Sequence, residues 1–124
     1  MKPKAPVKKH TKEDIEWVSK RIFKECFWGD YDIDENDIIH IIENPYENMQ
    51  KTKLLLSKIL YNGNDFLYYF SFFPREMLRE YIYNKKVGQY REKEIRKRID
   101  MVKVYFFGED IYIKGLTWGK RKTT

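Results

Sequence analysis

Apolar residues recur at steps of three and four along most of this chain. Ile15, Val18, Ile22 and Cys26 form the first stripe, widened by Phe23 and Phe27. Thr11 stands before it with Asp14 three residues on, a spacing that reads as a capping box opening a helix. Glu13, Asp14 and Glu16 follow in the first turn, where the helix dipole favours acids. Gly29 is the expected left-handed stop. Asp34, again with an acid (Asp37) three residues later, opens a short second helix that buries Ile38, Ile41 and Ile42. That helix stops at Asn44-Pro45, because the residue before proline resists helical dihedrals. A third helix is predicted from about Tyr46 to Tyr61, burying Met49, Leu55, Leu56, Ile59 and Leu60 and closing at Asn62-Gly63.

The run Phe66 to Phe73, FLYYFSFF, is ambiguous. Its rings favour a strand. A cap at Asn64 or Asp65 and the proline at Pro74 favour a short helix, followed by another that starts at Pro74 or Arg75. We read helix. Met77, Leu78, Tyr81 and Ile82 continue at helical spacing, and Gly88 falls in a polar turn. The last helix covers Arg91 to about Phe107, with Ile95, Ile99, Val102 and Phe106 on one side and Gly108 as its end. Residues 110–114 alternate as a short strand would. The pattern therefore predicts an all-α fold, a compact bundle of about five or six helices with at most a short β segment near 110–114. Residues 1–10 read as a disordered basic arm, 11–108 as the helical domain, and 109–124 as a C-terminal extension with a basic tail.

Composition sharpens this picture. Aromatics make up 17% of 124 residues and the only alanine is Ala5, so rings must fill the core and leave some ring surface in water. The net charge is +6, which favours an acidic partner. That charge is sorted along the chain. From Asp30 to Glu47 there are seven acids and no Lys or Arg, whereas from Lys85 to Lys103 eight bases face three acids. Asp30, Asp32, Asp34 and Asp37 form an acidic face suited to a basic partner. Arg91, Lys93, Arg96, Lys97, Arg98 and Lys103 lie opposite or beside the apolar stripe of the last helix. Such a row can neutralise phosphates or meet an acidic protein, with Tyr90 and Tyr105 able to stack on bases. The same row can equally be an ordinary solvent face laced by Glu92, Glu94 and Asp100. Both readings stand.

Reactive side chains are scarce: two His, one Cys and no glycine loop for phosphate. The stretch Asp32-x-Asp34-x-Asn36-Asp37-x5-Glu43 imitates an EF-hand calcium loop. Asp37 stands where that loop needs glycine, and Asn44-Pro45 blocks the exiting helix. His10 and His40 have no companion ligands of the kind zinc requires. Cys26 falls on a buried stripe and reads as an inert core thiol; being alone, it excludes an intramolecular disulfide and fits a reducing cytoplasm. No apolar run approaches the ~18 residues a bilayer span needs. The sequence thus leads us to expect no enzyme activity, cofactor, metal, membrane or small-molecule substrate. We expect a cytoplasmic interaction protein with a protein partner, or alternatively a basic nucleic-acid-binding regulator using the helix 91–107.

Three stretches carry a resemblance: Phe27 to Ile33 (FWGDYDI), Leu56 to Gly63 (LSKILYNG), and Phe73 to Glu80 (FPREMLRE) with the basic helix after it. In that order and spacing, across residues 21–107, the chain resembles a family of small uncharacterised bacterial helical proteins. Members of that family are often encoded beside nucleotidyltransferase toxins of the abortive-infection type. The resemblance implies an antitoxin-like or accessory role in a bacterial defence or toxin–antitoxin system, exercised by protein contact, and brings no catalytic residue with it.

Overall fold

The computed structural model describes residues 10–27 and 33–111, and within them the chain is all-α. Six helices follow in order: α1 (Lys12–Cys26), α2 (Glu35–Glu43), α3 (Met49–Asn62), α4 (Phe66–Phe70), α5 (Arg75–Asn84) and α6 (Glu92–Phe107). They fall into two units that meet in sequence between Asn64 and Asp65. The basic arm over residues 1–9 and the tail from residue 112 lie outside the described residues. Of the β segment expected near 110–114, Asp110 and Ile111 are irregular and the rest lies outside.

In the first unit α1 packs on α2 and α3, and α2 packs on α3. Thr11 caps α1 reciprocally: its hydroxyl accepts from the Asp14 N–H at 3.0 Å while the Asp14 carboxylate accepts from the Thr11 N–H at 3.2 Å. Val18, Ile22 and Cys26 are buried as their spacing predicts, and Ile15 is half-buried. The helix ends before Gly29. Phe27 leaves it at φ −125° with its ring 1% exposed, so the helix closes on a buried ring. Gly29 lies outside the described residues.

Helix α3 begins at Met49, not near Tyr46. Pro45 to Glu47 form a turn, and the Asn48 side chain accepts from the Lys51 N–H at 3.2 Å to cap the new helix. The buried Thr52 hydroxyl donates to the Pro45 carbonyl at 2.7 Å and ties the turn down. Met49, expected in the core, is exposed on the first turn, whereas Leu55, Leu56, Ile59 and Leu60 are fully buried. Removing one of these aliphatics, as in Ile59→Ala, would cost about 2–5 kcal/mol.

The second unit opens with the aromatic run, which is helical. Five residues form α4, and the N–H groups of Ser71, Phe72 and Phe73 then bond three residues back, to Tyr68, Tyr69 and Phe70. Neither Asn64 nor Asp65 supplies the expected side-chain cap; Asp65 serves only through its backbone, accepting from the Tyr69 N–H at 3.0 Å. Tyr69 and Phe70 are completely buried. Helix α5 starts directly after Pro74 and packs on α6. Ile95, Ile99 and Val102 are buried, while Phe106, placed on the same stripe by the sequence, is only half-covered. Gly108 ends α6 at φ 67°, a left-handed geometry that lets its N–H reach the Val104 carbonyl and the Glu109 N–H reach that of Lys103, each at 3.2 Å.

Candidate functional site

The acidic residues come first in the chain, and the two that are described are engaged in their own helix. The Asp34 carboxylate accepts from the Asp37 N–H at 2.9 Å, and the Asp37 carboxylate accepts from the Asp34 N–H at 2.9 Å. Together they form the capping box of α2. Asp30 and Asp32 lie outside the described residues. Glu35 to Glu43 is helix over the positions where a calcium loop would have to coil around an ion, so that sequence likeness does not become a loop. His40 meets Glu47 at 2.9 Å, with both side chains well exposed. The Cys26 thiol is buried. Among the described residues no three of His, Cys, Asp or Glu gather closely enough to hold a metal.

The basic row on α6 divides. Arg91, at the N-cap, donates from Nε to Glu94 Oε1 at 2.8 Å and from Nη2 to Oε2 at 2.6 Å. This two-pronged hydrogen bond, reinforced by the charges, holds the Arg91 guanidinium above its usual pKa and the Glu94 carboxyl below its own. Arg96 donates to Glu92 at 2.9 Å. Arg98 lies 3.9 Å from Glu94, is only 17% exposed, and stacks 4.5 Å from the centre of the Phe66 ring. Lys93 and Lys97 point to solvent. Lys103 is half-buried, its Nζ 4.7 Å from the ring centre of Tyr83 on α5.

That last contact belongs to a larger assembly of rings and cations built by α5 and α6. Arg75, Arg79 and Tyr83 stand one turn apart on α5, so they share a face. Arg79 lies 5.0 Å from the Tyr83 ring centre and 5.3 Å from that of Phe107. Arg75 lies 5.7 Å from Phe106 and donates to the Phe106 carbonyl at 3.2 Å, satisfying an acceptor in the last turn of α6. Tyr83 meets Phe107 edge-on at 5.8 Å, and Tyr105 meets Phe106 edge-on at 4.9 Å. Tyr105 is 63% exposed. The tilted Phe106 and Phe107 rings, 6.3 Å apart, join these contacts, so three cations and four rings form one continuous network at the end of this helix pair.

No family model, curated protein or solved structure matches this chain. The candidate surfaces therefore rest on their own geometry. The sequence offered Tyr105 as a stacking ring but did not join it to Arg75 and Arg79, and its stripes passed over Tyr83 and Phe107. The signal was present: Arg75, Arg79 and Tyr83 at steps of four, opposite Lys103, Phe106 and Phe107 at steps of three and four. Nothing in periodicity alone said that these two faces would meet.

Proposed function

We propose that this chain is a non-enzymatic protein-interaction module. The family resemblance suggests an antitoxin-like or accessory role beside a bacterial toxin or defence protein. The observation that carries the reading is the set of exposed aromatic and apolar side chains on the first unit. Trp17 is 51% exposed beneath the Arg21 guanidinium at 5.0 Å, and Tyr46, Met49 and Leu54 are exposed on the same unit. Trp, Tyr, Met and Arg are the side chains enriched where proteins bind one another, and Trp and Arg are the commonest anchors. The carboxylates of Asp34 and Glu43, exposed at either end of α2, add negative charge to a chain that is otherwise basic. Purification from the native host is expected to yield a protein partner at fixed stoichiometry, released by Trp17→Ala or by Asp34→Asn with Asp37→Asn. Repeated recovery of the chain alone would overturn the reading.

A second reading, a basic nucleic-acid-binding regulator, is favoured by a different observation. The second unit exposes Lys93 and Lys97 on α6 and the ring-and-cation network beside them in sequence. Loss of oligonucleotide affinity with added salt is its expected signature. The membrane plays no part in either reading, and no described helix is long and apolar enough to cross one.

A further inference from the structure

We infer that the end of the α5–α6 pair is a binding surface for single-stranded nucleic acid, centred on Arg75, Arg79, Lys103 and Tyr105. This rests on the second reading above and moves its contact away from the row expected on α6. The deciding contrast is between two sets of bases in one unit. Arg91, Arg96 and Arg98 each face a glutamate on their own helix. Among the described residues, Arg75, Arg79 and Lys103 have no carboxylate within 4.0 Å, and their partners are rings. A cation on a ring face keeps its full charge for an incoming anion, whereas an ion-paired one must first give up its carboxylate.

The rings choose the kind of anion. Arg79 is exposed within 5.3 Å of two ring centres, and Tyr105 offers a ring 63% open to water. Unstacked bases bind to such planes, with phosphates reaching the cations between them. A duplex covers its base faces with neighbouring pairs and would leave Tyr105 unused. An acidic peptide such as oligoglutamate would satisfy the charges but brings no aromatic rings to stack there. Glu76, Glu80, Glu109 and Asp110 are close in sequence and weaken the local field. Stacking therefore supplies much of the affinity, and salt dependence is modest: with three phosphates neutralised, log affinity falls against log salt with a slope of roughly −2.

The test titrates the full chain into labelled oligothymidine about a dozen nucleotides long at low salt, with a duplex, heparin and oligoglutamate as competitors. Saturable binding is expected, competed best by unlabelled oligothymidine. Tyr105→Ala should weaken it about tenfold, and Arg75→Gln with Arg79→Gln at least as much, while Lys93→Gln with Lys97→Gln changes it by no more than about twofold. Tyr105 is exposed, so its substitution leaves folding intact and decides the matter if the double arginine variant melts early. Loss through Lys93 and Lys97 with Tyr105→Ala unchanged would overturn this surface and leave the nucleic-acid reading standing. Duplex, heparin or oligoglutamate competing as well as oligothymidine would overturn the single-strand assignment. No binding to any of them would overturn both the surface and the second reading.

Discussion

Arg91 closes both prongs of its guanidinium on the Glu94 carboxylate, at 2.8 and 2.6 Å, across the first turn of α6. The hydrogen bonds from Arg91, followed by its charge and that of Arg98, hold the Glu94 carboxyl below its usual value of 4.5. A carboxyl depressed in the folded chain contributes stability that is present above its unfolded value and lost as pH falls through the folded one. The melting temperature of the native chain should therefore exceed that of Glu94→Gln near neutral pH, and the gap should close below about pH 4.5. Glu94 is 48% exposed, so solvent and salt screen the pair and added salt should narrow the gap too. A gap that does not change with pH would show that the ion pair adds nothing to folding.

The same arginine stands in the left-handed region at φ 52°, and Gly108 stands there at φ 67° at the other end of α6. Glycine adopts this geometry freely and other residues at a cost of about 1–2 kcal/mol. Arg91→Ala and Arg91→Gly both lose the Glu94 pair, so their difference isolates the backbone. Chemical denaturation should find the glycine variant more stable by about 1 kcal/mol. Gly108→Ala should lose about as much. Its added methyl has open space around it, so strain and not collision is the cause.

Asp34 tests whether an acidic residue here serves the fold, a partner, or both. Its carboxylate caps α2, so Asp34→Ala should destabilise the chain by about 1 kcal/mol. Asparagine caps nearly as well, and Asp34→Asn should leave stability within a few tenths of a kcal/mol. If the asparagine variant melts normally yet releases the protein partner, the charge has a role beyond capping. If both variants lose stability equally, the cap depends on the charge itself.

Ser19 is wholly buried in α1, and its hydroxyl has no hydrogen-bond partner among the described residues. An unsatisfied buried hydroxyl costs about 1–3 kcal/mol, and alanine is also the better helix former. Ser19→Ala should raise the melting temperature, with a gain of about 1 kcal/mol by denaturation. A loss would mean that the hydroxyl has a partner in solution.

The stripes that named α1, α2 and α6 and the aliphatic face of α3 were all legible, because a periodic apolar face fixes both the helix and the side it buries. The boundaries were less so. Phe27 left α1 early to bury its ring, and Asn48 took over the start of α3 once Pro45 had made a turn. Each outcome is a contest between local signals that only packing decides. The aromatic run 66–73 shows the same contest, since ring propensity favoured a strand and the neighbouring helices supplied no edge for one to pair with.

Alone, then, the sequence determined the all-helical architecture, the reciprocal caps at Thr11 and Asp34, and the sorting of charge along the chain. The helices and caps depend on residues at most four positions apart, and the charge sorting on order alone, so all are written in the order of the residues. Tertiary structure decided which charges remain available to a partner. Arg91 and Arg96 found glutamates on their own helix, but Arg79 found the Tyr83 and Phe107 rings, and the second of these comes from another helix. Whether a base meets a carboxylate or an aromatic face depends on how two helices are turned toward each other, and that rotation is set by the packing of their buried sides.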